Sequence, residues 1–183
     1  MRLLLHTCCA PCSIYPVEVL KGEKMDLTGF FFNPNIHPYT EWRARKEALA
    51  GYAPGAGLPM IFDEDYLLEE FIRGVVHREG ERCFFCYVMR LRRTAQVAVQ
   101  NKFDAFSTTL LVSPYQKHDL IREIGGEVSR ETGLQFVYRD FRPGYRDAVE
   151  RSREMGLYRQ KYCGCIYSEK ERYCRKKNRG PGS

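Results

Sequence analysis

RLLLHTCCAPC, residues 2–12, is the stretch from which the fold is read. Arg2 to His6 is a short apolar run of the kind a buried strand shows. The loop Thr7 to Cys12 follows at once. Pro11 and Ser13 then introduce a helix to about Lys21, since proline is tolerated in a first helical turn. The unit repeats along the chain. Asp26 to Phe32 reads as a second strand, NPNIHP at 33–38 as a turn-rich loop, and Tyr39 to about Tyr52 as a helix. A Pro/Gly break at 53–57 leads to a third strand, Leu58 to Phe62. Asp63 or Asp65 is placed to cap a helix that ends before Gly74. Good helix formers run from about Arg82 to Asn101. Phe103 to Ser107 is a fourth strand, Gln116 to Thr132 a helix interrupted by Gly125 and Gly126, and Leu134 to Tyr138 a fifth strand. A last helix follows Pro143 and ends near Gly156.

About five alternations of strand and helix predict an α/β fold: a single-domain parallel sheet of about five strands with helices on both faces. The domain is expected to span 1–177, followed by a flexible tail at 178–183; no internal repeat is evident. In open parallel sheets ligands bind beyond the carboxyl ends of the strands, where strand order reverses. If the first and fourth strands are central neighbours, the loop Thr7 to Cys12 meets TTLLVSPYQKH at 108–118 there.

The 183 residues suit one domain and a normal core. No run of about 18 apolar residues occurs, so no membrane span is expected. The first six residues are too short for a signal peptide, and a cytoplasmic location is expected. The net charge of +6, from 29 basic and 23 acidic residues, is a mild excess. It gathers at Arg90, Arg92 and Arg93 and between Lys170 and Arg179, as on proteins that meet a polyanion.

Eight cysteines stand out, and seven fall into three groups. Cytosolic thiols stay reduced, and adjacent or one-apart cysteines are poor disulfide staples, so metal or redox use is expected. Cys8, Cys9 and Cys12 lie on a strand-to-helix turn, where a helix N-terminus favours the thiolate. Cys83 and Cys86 share one helix face. Gly164 lets Cys163 and Cys165 point into one site. Cys174 stands alone and reads as structural or incidental. Seven thiols exceed one four-ligand zinc site. A four-iron cluster takes four cysteines and leaves three for a second metal, a redox pair or an open position. Iron–sulfur ligation is therefore favoured over zinc.

Three motifs, HTCCAPC at 6–12, CFFCY at 83–87 with Arg90 and Leu91, and YCGCIYS at 162–168, resemble the QueH-type epoxyqueuosine reductases from Leu3 to about Cys174. The resemblance implies a fold similar to the adenine-nucleotide alpha-hydrolase (HUP) group. It implies reduction of the epoxide of epoxyqueuosine to queuosine in tRNA, the last step of queuosine biosynthesis. It implies a 4Fe-4S cluster beside a further iron ion, with Cys8, Cys9, Cys12, Cys83, Cys86, Cys163 and Cys165 as candidate ligands. Their division between the two centres is left open. The partners implied are tRNA carrying epoxyqueuosine at the wobble position and an electron donor the sequence does not identify.

Turning an epoxide into an alkene takes two electrons and two protons and releases water. The departing oxygen needs a proton donor; Tyr115 and His118, on the loop expected to face the first cysteines, are the candidates. Arg90 and Arg93, spaced from Cys86 along one helix, and Arg159 and Lys161, beside the third cysteine group, are candidate tRNA contacts. Tyr115, Tyr158 and Tyr162 are candidates for stacking on unpaired bases. Two other readings stand. An ATP-dependent tRNA-modifying enzyme of this fold would carry a glycine-rich phosphate loop after the first strand, whereas residues 7–12 hold no glycine and Pro11 lacks a backbone donor. A zinc-dependent RNA-binding module would leave the surplus cysteines unused.

Overall fold

Leu3, Leu4 and Leu5 are all fully buried, which a strand achieves only when covered on both faces. In the computed structural model, which describes residues 1–174, β1 (Arg2–His6) is the central strand of a five-stranded parallel sheet. It pairs with β2 (Asp26–Phe31) on one side and β4 (Ala105–Thr108) on the other. β3 (Met60–Phe62) and β5 (Gln135–Phe136) complete the order β3-β2-β1-β4-β5. The expected tail at 178–183, the domain boundary at 177 and the basic residues Arg175, Lys176, Lys177 and Arg179 lie outside the described residues.

Strand order steps one way from β1 to β3 and then reverses past β1 to β4 and β5. Right-handed crossovers place the connecting helices of the two halves on opposite faces. Accordingly α1 (Ala10–Gly22) packs against α2 (Tyr39–Gly55) and α6 (Tyr145–Glu154), while α4 (Arg82–Gln100) packs against α3 (Leu68–Val75) and α5 (His118–Thr132). The reversal lies between β1 and β4, so the loops after these strands converge as expected.

Several boundaries differ from those the sequence suggests. α1 starts at Ala10 rather than Ser13, with Pro11 in its first turn and extended Cys9 as its cap. Cys12 is therefore helical rather than in the loop. α2 runs to Gly55 through the expected break, because Pro54 falls in its last turn. Neither Asp63 nor Asp65 caps α3, which starts at Leu68; Asp63 instead receives the Asp65 N–H and pairs with Arg93. α5 is continuous through Gly125 and Gly126. Gly125 is required by packing, since a Cβ there would sit 2.3 Å from the Phe136 ring. A short helix, α7 (Ile166–Tyr173), follows the last cysteine pair where no helix was expected; the Cys165 sulfur accepts the Ser168 N–H at its start.

Candidate metal centre and substrate cleft

β1 ends at His6, and the chain turns directly into α1. This turn brings the sulfurs of Cys8, Cys9 and Cys12 within 4.8 Å of one another. Cys8 and Cys9 lie 3.7 Å apart. Four thiolates around one metal at bonds of about 2.3 Å would be spaced about 3.8 Å, so this triad has the spacing of a single ion. The loop after β4 supports it: the Cys8 N–H donates to Thr109 Oγ1 (3.2 Å), and that hydroxyl donates to the Cys8 sulfur (3.5 Å). Hydrogen bonds from Cys12 and Cys9 hold the Cys8 thiol well below its usual range, overcoming burial. Burial pushes Cys9 up, and Cys12 is pushed up first by donating to Cys8.

Cys83 and Cys86, on the first turn of α4, lie near the loop of Cys163 and Cys165; α4 meets α7, which follows that loop, through the Arg82–Glu171 pair. Burial raises both α4 thiols, Cys86 to about 12, and negative charge on Cys163 and Cys165 raises them further. The loop carrying Cys163 and Cys165 is clamped from α2. Arg45, buried and paired with Glu41, donates to the carbonyls of Tyr162 (3.0 Å) and Cys163 (2.9 Å). Gly164 adopts φ +150°, and a Cβ there would meet Asn35 and Ile36 at 3.1 Å. Only glycine suits that backbone and that approach.

A cavity of about 500 Å³ opens between the two groups. Cys12 and Cys163 both line it, with Tyr115, Tyr145, Gln160 and Lys161 among its walls. Its position at the carboxyl ends of β1 and β4 is where this topology places ligands.

A family model described as epoxyqueuosine reductase QueH matches residues 3–171. The chain belongs to the epoxyqueuosine reductase QueH family. An epoxyqueuosine reductase QueH of Dehalococcoides mccartyi is 37% identical over 94% of both chains. Its counterpart of Thermotoga maritima is 36% identical over 93% of this chain and 91% of its own. Among solved structures, the U34-tRNA thiolase NcsA of Methanococcus maripaludis, determined with its [4Fe-4S] cluster, superposes with a TM-score of 0.60 at 15% identity. That match covers 92% of this chain and 61% of the thiolase, and it shows a shared fold. The QueH family match agrees with the resemblance carried by the three cysteine motifs.

The other candidate residues are distributed unevenly. Arg90 does not face solvent as a phosphate contact must: it is 2% exposed. Its position one turn after Cys86 points it inward. There it donates to His6 Nε2 (3.1 Å), Asn33 Oδ1 (2.5 Å) and the Cys86 sulfur (3.6 Å). Burial opposes its charge, but Cys86 and Cys8 more than offset this and raise its pKa. Burial and the Arg90 charge lower His6 to about 3, so its ring is neutral. Arg93 pairs with Asp63 beside a different cavity, also lined by Phe32 and Arg92. Lys161 lines the cleft, and Arg159 lines a smaller adjoining cavity with Cys12. Tyr115 is 81% exposed, edge-on to Tyr145 with ring centres 6.0 Å apart. His118 is buried and does not line the cleft; its Nε2 donates to the Ser113 carbonyl (3.0 Å), holding the loop that carries Tyr115. Tyr162 donates to the His37 carbonyl at 2.5 Å, so its hydroxyl is engaged within the protein.

Arg45, Asn33, Gln116 and Gln160 belong to the site without standing in any motif that marks them. Arg90 is marked by its place four residues after Cys86, but its direction depends on which side of α4 meets the sheet. The backbone N–H groups of Thr7 and Cys8 are taken by Phe30 O and Thr109 Oγ1. Those two donors are not free to hold a phosphate, which bears against the ATP-dependent reading.

Proposed function

We propose that this chain reduces epoxyqueuosine to queuosine in tRNA at the cleft between its two thiol groups, in the cytoplasm, with electrons from a separate donor. The observation that carries this reading is that Cys12 of one group and Cys163 of the other line the same cavity. The spacing of Cys8, Cys9 and Cys12 suits a single iron ion. Cys83, Cys86, Cys163 and Cys165 match in number the four thiolates that hold a 4Fe-4S cluster. Bound there, the cluster supplies electrons singly and the iron a Lewis-acidic position for the epoxide oxygen.

The chain's own residues supply the rest. Arg90 carries a buried positive charge, touching Cys86 and acting on Cys8, and so offsets thiolate charge in both groups. Tyr115 and Tyr145 present phenols at the cleft wall, and Tyr115 is the proton donor to the departing oxygen. His118 positions Tyr115 by holding Ser113. Lys161 and Arg159 meet tRNA phosphates at the rim, and exposed Tyr115 offers a face on which an unpaired base stacks.

The test is anaerobic reconstitution with iron and sulfide, then incubation with epoxyqueuosine-containing tRNA and a reductant. Nucleoside mass spectrometry is expected to show loss of one oxygen. Unchanged nucleoside with fully loaded protein would overturn the assignment. Zinc near one per chain, with no sulfide after reconstitution, would favour the RNA-binding module.

A further inference from the structure

Two neutral amides face the two thiol groups in parallel ways. Gln160 Nε2 lies 3.1 Å from the Cys9 sulfur and 3.6 Å from that of Cys12. Gln116 Nε2 lies 3.4 Å from the Cys163 sulfur. Each glutamine is followed by an exposed lysine, Lys117 or Lys161. Each loop therefore turns an uncharged donor toward sulfur and leaves its cation outside.

The orientation of Gln116 is fixed by a second contact. Tyr87 donates its hydroxyl to Gln116 Oε1 (2.8 Å), and the Lys117 N–H donates to the same hydroxyl (3.2 Å). With its oxygen held there, the amide can only offer N–H to Cys163. For Gln160 the sulfurs fix the direction: a metal-bound thiolate carries no proton and accepts only, so it selects the NH2 end of the amide. The Gln160 oxygen is buried without a protein partner among the described residues.

We propose that Gln160 and Gln116 are positioning residues that set the reduction potentials of the two centres separately: Gln160 that of the centre on Cys8, Cys9 and Cys12, and Gln116, oriented by Tyr87, that of the centre on Cys83, Cys86, Cys163 and Cys165. Hydrogen bonds to ligand sulfur raise the potential, because the reduced centre carries one more negative charge and gains more from the donor. The inference rests on the metal reading above. Neutral donors suit this role, since they tune a centre without adding a full charge beside the one Arg90 already provides.

The experiment compares the reconstituted full chain with Gln160→Leu, Gln116→Leu and Tyr87→Phe, reading iron and sulfide per chain and each centre's potential by an EPR-monitored redox titration. Iron and sulfide are expected to match wild type. Each leucine variant is expected to disfavour reduction of its own centre by about tenfold, a negative shift of ~59 mV for one electron, with the other centre unmoved. Tyr87→Phe is expected to move only the four-thiol centre, in the same direction and by less. Full loading with unmoved potentials would overturn the inference, as would equal shifts in both centres. Loss of metal in the leucine variants would overturn it too, by making the amides supports of the binding loops. A wild-type chain that takes up no iron would overturn the metal reading itself, and is told apart by the iron count alone.

Discussion

The triad of Cys8, Cys9 and Cys12 and the quartet of Cys83, Cys86, Cys163 and Cys165 differ in how the chain builds them. The triad comes from one turn. Its backbone is held by the sheet and by Thr109, and Cys8 and Cys9 are buried. The quartet joins the start of α4 to a loop far along the chain, and its members range from buried Cys86 and Cys165 to exposed Cys163. The triad is preformed by the local fold. The quartet exists only when the loop at 160–165 is docked on Arg45, Asn35 and His37. The triad lies at the switch point, and Cys163 of the second set lines the same cleft as Cys12.

Arg90→Met should have the largest effect on this pairing, because Arg90 serves both groups. The substitution strands Asn33 Oδ1, which accepts from Arg90, and removes a buried charge. A loss of about 3–5 kcal/mol is expected by urea unfolding of the metal-free chain; a loss below ~1 kcal/mol would show that Arg90 does not join the groups. Gly164→Ala should separate them. The strained backbone and close approach at 164 predict a loss of about 1–3 kcal/mol, with sulfide binding impaired and the triad's metal retained. Equal damage to both would mean that the loop supports the triad as well.

Smaller effects should fall at the rim. Removing Lys161 or Arg159 should weaken tRNA binding and flatten the dependence of log K on log salt by about 0.7–0.9 for each phosphate no longer neutralised. An unchanged slope would take the tRNA off this side of the cleft. Arg93→Ala should do least. Its pair with Asp63 is half-exposed on the arginine side and is worth about 0–1 kcal/mol, and tRNA affinity should not change. A marked fall in affinity would show that the RNA also reaches the cavity beside β3.

The fold is legible in the sequence because apolar runs and turn residues alternate with a regular period. β1 and α4 stand nearly where the spacing puts them. α7 is not legible: Ile166 to Tyr173 is short and polar, and its start depends on the Cys165 sulfur as a cap. The cysteines are legible as ligand candidates from their spacing. Their grouping into triad and quartet is not, since no local pattern brings α4 against the loop at 163–165. Arg90 reads as a phosphate contact in the sequence and is a buried support in the structure, because position on a helix gives a face but not what covers it. Gln116 and Gln160 carry no motif and become visible only through their distance to sulfur.

If the triad and the quartet hold different centres, breaking one should leave the other loaded. Iron and acid-labile sulfide should be counted on anaerobically reconstituted Cys8→Ser/Cys12→Ser and Cys83→Ser/Cys165→Ser double variants. The first is expected to keep about four iron and four sulfide and lose only the additional iron, while the second loses its sulfide. Loss of sulfide from the first variant, with retention in the second, would refute the division between triad and quartet.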